Sequence, residues 1–228
     1  MASDLTLLRW FSEYVSKIDF AREEEMDLNA LDEYEIFLTT EKGKMYESNL
    51  AMYINPFPEQ KDYFNIKLNI DGFKNIDDVI EIFRPELFTS VRQIKKEDAL
   101  EVLCEKSSQF YGLENLREEV FERENIGSTF FTRNIAMAHP ANPVSSDTFI
   151  SVLVSKKSVV WDSDGNTVNL IMLMHIGKSN PRAFKLWEYM AKIFSDKKLV
   201  DKLTLNPEYG NFISLVKESL HVSMKESE

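Results

Sequence analysis

The chain has a single cysteine, Cys104, so no disulfide can form within it. That residue falls at an apolar helix position, which fits a packing role in a reducing cytoplasm. Positive charge is scarce too: 27 Lys and Arg stand against 38 Asp and Glu, a formal net charge of −11. Neutralising nucleic-acid phosphates takes a basic face. The short groups Lys95-Lys96 and Lys156-Lys157 read only as solvated surface, so no direct nucleic-acid contact by this segment is expected. Long apolar runs are missing. The most apolar stretch, Val168 to Ile176, is broken by Asn169 and is far shorter than the ~20 residues of a spanning helix. No membrane insertion and no secretory leader are expected, and a cytoplasmic location is. The acidic word DSDGN, 162–166, reads as a turn, with Gly165 supplying the permissive backbone and Asp and Asn the local hydrogen bonds. A metal loop is the weaker reading, because the acids continue into no further ligands. Neither a metal nor a cofactor is expected.

What is present suffices for a globular protein of one or two domains. Leu5 to Val15 reads as an amphipathic helix with Leu7, Leu8, Phe11 and Val15 near helical spacing. After an acidic stretch come YEIFLTT and LAMYINPFP, two short β-rich words separated by a loop with Gly43, as in parallel strands of a small α/β unit. Residues 73–84 read as a helix or linker, with Pro85 marking a boundary. Beyond it, Asp98 to Lys106 sets Ala99, Val102 and Leu103 on one helix face. Thr148 to Ser155 is apolar on nearly both faces, as an interior strand covered on two sides should be. Asn180-Pro181 and Asn206-Pro207 read as helix starts. The first of those helices carries Phe184, Trp187, Ala191 and Phe194 on one side, with Leu186, Met190 and Ile193 nearby, and most of it reads as core.

The candidate for chemistry is FERENIGSTFFTRNIAMAHP, 121–140. Asn134 to Ala138 alternates as a strand, with Ile135 and Met137 on one face. Ala136 and Ala138 on the other would leave open space around the imidazole of His139. Pro140, which has no amide hydrogen for a ladder, ends the strand. An imidazole at a strand end is reachable from outside. Arg123, by itself, reads as a helix-end arginine paired with Glu122 or Glu119.

The words Glu122-Arg123-Glu124 and IAMAHP, in that order and spacing, resemble the active-site segment of the mannitol/fructose-type enzyme IIA domain of the bacterial sugar phosphotransferase system. That family usually has IAIPHG or IAVPHG. Ala138 and Pro140 depart from this and leave the histidine and arginine in place. The resemblance runs from Phe83 to Leu220 and includes TFISVLVSKKSVVWDSDGNTVNLIMLMHIG. It implies a mixed sheet flanked by helices on both faces, an α/β (α+β) fold, with a smaller N-terminal α/β unit. It also implies that His139 accepts a phosphoryl group from an HPr-like phosphocarrier, with Arg123 as countercharge. The family's usual second histidine would align near Ala183, so His175 or Arg182 would have to stand in for it, and His221 reads as part of a polar tail.

DEYEIFLTT and LAMYINPFPEQ resemble later strands of a galactitol-type enzyme IIB domain. No strand or cysteine before Leu5 supplies the phosphocysteine loop, so that unit would be unable to carry out the second transfer. The domains expected are a partial or degenerate IIB-like unit, 1–72, a linker, 73–84, a IIA-like domain, 85–220, and a polar tail, 221–228. The order resembles the C-terminus of regulators that carry DNA-binding and PRD modules upstream. A regulatory phosphoryl acceptor is favoured over a working phosphocarrier that hands the group to an enzyme IIB domain, and over an unphosphorylated docking module.

Overall fold

The computed structural model describes residues 2–11, 15, 17–20, 36–40, 51–70, 76–132, 134–178, 186–194 and 197–223. The chain divides into two compact units, essentially residues 1–75 and 76–226. In the first, helix α1 (Ala2–Phe11), strands β1 (Phe37–Thr39) and β2 (Ala51–Tyr53) and helix α2 (Gln60–Ile70) share a small core. The two strands pair in parallel, Phe37 opposite Ala51. Leu7, Phe11, Ile54 and Ile66 are buried together, and Tyr63 stacks on Phe11. Leu8, expected on the packed side of α1, is exposed, because the buried stripe is formed by Leu7 and Phe11, an i, i+4 pair that leaves Leu8 to one side.

The second unit holds α3 (Ile76–Glu81), β3 (Phe83–Val91), α4 (Lys96–Tyr111), α5 (Leu116–Ile126), β4 (Phe130–Thr132), β5 (Asn134–Ala138), β6 (Phe149–Val160), β7 (Thr167–His175), α6 (Leu186–Phe194), α7 (Lys197–Leu205) and α8 (Tyr209–Ser223). The five strands form one mixed sheet in the order β3-β6-β7-β5-β4. β3 runs parallel to β6 and β5 parallel to β7, while β6–β7 and β4–β5 are antiparallel. Most of this sheet is interior, so its strands read as nearly continuous apolar runs.

Register decides which residues share a face. Ala136 and Ala138 of β5, Ile171 and Leu173 of β7, and Phe149 and Leu153 of β6 meet Ala99, Leu100, Leu103 and Cys104 of α4 in one core cluster. The alternate residues Ile135, Met137, Leu170, Met172, Met174, Ile150, Val152 and Val154 are equally buried, under the layer to which α7 and α8 belong. The two alanines therefore leave no open space: their small size lets α4 approach the sheet. Parity puts His139 with Ile135 and Met137, on the opposite face from the alanines.

Several boundaries differ from expectation. Residues 76–81 form α3, with Val79 fully buried, so part of the expected linker packs within the second unit. The stretch after β7 gives two helices, α6 and α7. Asn180 and Pro181 lie outside the described residues. Asn206 precedes α8, where its carbonyl accepts from the Glu208 amide at 2.9 Å and the Asn211 side chain at 2.7 Å. α8 continues to Ser223 and so includes His221.

Candidate functional site

His139 stands immediately after β5, where Pro140 ends the ladder, and its ring is half-buried. Arg123, one turn before the end of α5, donates its Nε–H to Nε2 of the imidazole at 2.9 Å, and its Nη1 reaches the Gly127 carbonyl at 3.1 Å. An arginine cannot accept a hydrogen bond, so Nε2 must carry the lone pair. Nδ1 then holds the proton and faces the Met137 carbonyl at 3.3 Å. The result is a neutral imidazole with its nucleophilic nitrogen turned toward a cation. Burial, foremost, and the Arg123 charge push the pKa of His139 below its ordinary value, against the Met137 hydrogen bond and the Glu124 charge, which raise it. Arg123 is committed to His139 and Gly127, while Glu119 is used elsewhere, accepting from the Asn142 amide at 2.8 Å.

Next to Arg123, Glu124 is drawn inward. Its carboxylate pairs with Lys96 Nζ at 2.7 Å, the two side chains being 7% and 18% exposed, and it accepts from both the amide and the hydroxyl of Thr129. The Thr129 carbonyl in turn accepts from the Met137 amide at 3.0 Å. The α5–β4 turn is thereby tied to the start of α4 and to the strand that presents His139. Sequence inspection placed Glu124 beside the arginine and gave no sign of its partners, because Lys96 and Thr129 approach only when α4, α5 and β4 pack.

His175 is not part of this constellation. It is fully buried, stacked on Phe149 at 5.0 Å, with Phe149 stacked in turn on Tyr111 of α4. Its Nε2 accepts from the Val144 amide at 3.0 Å and its Nδ1 lies 2.7 Å from the Asp147 carbonyl. It therefore fastens the loop between β5 and β6. Register agrees: His175 shares a face with Leu173 and Ala138, and His139 shares one with Met174. Arg182 lies outside the described residues. The group that does stand beside His139 is Trp187 of α6, whose ring is 5.1 Å away and nearly perpendicular, at 84°. Read from the helix pattern, Trp187 belonged to the core, and no local signal separated it from its apolar neighbours. Asp162 has its oxygens filled by Ser128, Asn166 and the Asp164 amide, in keeping with the turn reading. Among the described residues no cluster of His, Cys, Asp and Glu could hold a metal ion, and no helix is long and apolar enough to cross a membrane.

Comparison with known proteins places this geometry in context. Residues 81–219 match the family described as "Phosphoenolpyruvate-dependent sugar phosphotransferase system, EIIA 2". A protein of Bacillus subtilis (strain 168) named "Probable licABCH operon regulator" is 26% identical over 110 residues, 47% of this chain but only 17% of that protein's length. The crystal structure of the nitrogen regulatory protein IIA-Ntr from Neisseria meningitidis superposes with a TM-score of 0.54 at 18% identity, covering 60% of this chain and 97% of that one. The complex of enzyme IIAMTL and phosphorylated enzyme IIBMTL from Escherichia coli gives 0.50 at 13% identity, covering 60% and 99%. These structural likenesses concern the fold.

Proposed function

The chain belongs to the EIIA 2 family of the phosphoenolpyruvate-dependent sugar phosphotransferase system, and from that premise we propose that it accepts a phosphoryl group on Nε2 of His139 and uses it as a regulatory signal. The observation that carries this reading is the 2.9 Å contact between Arg123 Nε and His139 Nε2. It marks the lone-pair nitrogen and sets beside it a fork of donors for phosphate oxygens.

The donor is an HPr-like phosphocarrier bearing its group on a nitrogen. The Nε2 lone pair of His139 attacks phosphorus in line, the donor's N–P bond breaks, and its electron pair returns to the donor ring. His139 keeps its Nδ1 proton, so the phosphorylated ring gains positive charge, which the Met137 carbonyl can accept through Nδ1–H. Arg123 loses its bond to Nε2 at that moment and is free to turn to the equatorial oxygens. Such a transfer asks little of a protein beyond position and countercharge. No cofactor or metal enters the scheme.

Two observations favour a signal receiver over a fast carrier. The matched relative is named as an operon regulator, and His175 is sealed away by the Val144 and Asp147 backbone instead of sharing the phosphoryl group. About two added negative charges at a half-buried site would change docking to other domains of the same regulator. The first unit is IIB-like in this reading, and residues 1–75 contain no cysteine to carry a phosphoryl group. The test is incubation with enzyme I, HPr and labelled phosphoenolpyruvate, for the native chain and for His139→Ala, followed by an enzyme IIB acceptor. Label on the native chain alone, retained when the acceptor is added, is the expected result. Rapid onward transfer would establish a working phosphocarrier, and no label would reject phosphorylation.

A further inference from the structure

His139 is held in its plane by two hydrogen bonds, one at each ring nitrogen. Both contacts lie in the plane of the ring and leave its side to be packed by another group. The described part of α6 begins at Leu186 and buries Leu186, Tyr189, Met190, Ile193 and Phe194. Trp187 lies off this buried set, is only half-buried, and stands edge-to-face with the imidazole at 5.1 Å and 84°. A large aromatic that packs incompletely and spends its contact on a functional ring is not explained by core formation alone.

We infer that Trp187 is a positioning residue for phosphoryl acceptance: its indole walls the His139 imidazole, blocks rotation of that ring, and keeps water off the phosphohistidine once it forms. This deepens the proposed function and rests on it for the phosphorylated state, whereas the ring's tautomer and orientation are properties of the unmodified protein. The wall is apolar. Where a second imidazole would speed departure of the group, the indole offers no proton acceptor, so it suits a group that is stored. The charged neighbours of His139, Arg123 and Glu124, act on its protonation. Trp187 acts on its orientation and on solvent.

The test uses the full chain with Trp187→Ala and Trp187→Phe. Nitrogen-15 NMR of the His139 ring reports the tautomer before any phosphorylation, and the hydrolysis half-life of the phosphorylated protein reports water access. For the alanine variant a mixed tautomer population is expected, with hydrolysis faster by roughly two- to tenfold, the range an aromatic pair contact spans. The phenylalanine variant should stay close to native in both. Retention of native tautomer and half-life by the alanine variant overturns the inference, as does a phenylalanine variant impaired as fully as alanine. Should the native chain take no phosphoryl group, the proposed function fails, and the tautomer measurement still decides the role of Trp187.

Discussion

His139 follows β5 and His175 ends the neighbouring strand β7, and the two face opposite sides of the sheet. Ala138, the last residue of β5, pairs with Leu173 in the parallel β5–β7 ladder, so by the same alternation His139 shares its face with Met174, and His175 falls back on the side of α4. A single position along a strand separates a nitrogen aimed at a guanidinium from one closed by backbone groups.

The first consequence concerns Arg123. Arg123→Ala should slow phosphorylation of His139 by about 10- to 100-fold, the equivalent of one charge-assisted hydrogen bond of about 1.5–3 kcal/mol. Arg123→Lys should recover only part of this, since an ammonium lacks the planar fork. Initial rates of labelling by phosphorylated HPr measure both.

His175 predicts the reverse pattern. His175→Ala removes two hydrogen bonds and a stacked ring from a fully buried position and should cost about 2–4 kcal/mol in chemical denaturation. At a temperature where it remains folded, its labelling rate should stay close to native. Gly177→Ala tests the same loop. An added Cβ would collide with the Ser146 carbonyl, so a loss of about 1–3 kcal/mol is expected from overpacking.

Burial, foremost, holds both histidines below the ordinary histidine value of 6.5. The unfolded chain therefore binds more protons than the native one as pH falls below 6.5, and stability follows the sign of that difference. Their contribution is fully present above 6.5 and is lost as pH falls toward the lowered native values. For His175, protonating Nε2 would also set it against the Val144 amide. Unfolding free energies between neutral pH and pH 5 should decline, with a shallower slope for His175→Gln. Labelling of His139 should hold steady as pH drops through 6.5, since the neutral ring persists there.

Lys96→Met would strand the Glu124 carboxylate. The pair is largely sheltered, and breaking one side of a buried pair costs about 3–5 kcal/mol; with Lys96 partly exposed, about 2–3 kcal/mol is expected. Lys96→Met combined with Glu124→Gln should recover part of that loss, because both charges are then gone. A double-mutant cycle in urea measures the coupling.

Cys104 should be inert. Burial, foremost, lifts its thiol to about 12, so almost no thiolate exists near pH 8. Alkylating reagents should leave the native protein unmodified and label it fully once it is unfolded.

Much of the second unit was legible because its signals are local. The apolar strand at 148–155 and the DSDGN turn are set by short-range chemistry, α4 shows its face through helical periodicity, and the arginine and histidine spacing is legible only through the family resemblance. Composition alone points to Ala136 and Ala138 as the border of the imidazole, whereas strand parity puts them under α4. His175 was offered as a partner for the same reason: sequence distance and strand-end position say nothing of which side of a sheet a residue occupies.

Legible from the residues alone were most of the strands and helices of the second unit, the family resemblance, and an imidazole and a guanidinium suited to phosphate. Only the tertiary structure decided that the two touch, that Nε2 holds the lone pair, that Trp187 covers the ring, and that Glu124 turns inward to Lys96 and Thr129. The physical reason is that periodicity and capping act within a few residues along the chain. Hydrogen bonds, ring contacts and burial depend instead on which distant segments the packed sheet and helices bring within about 3–5 Å of one another.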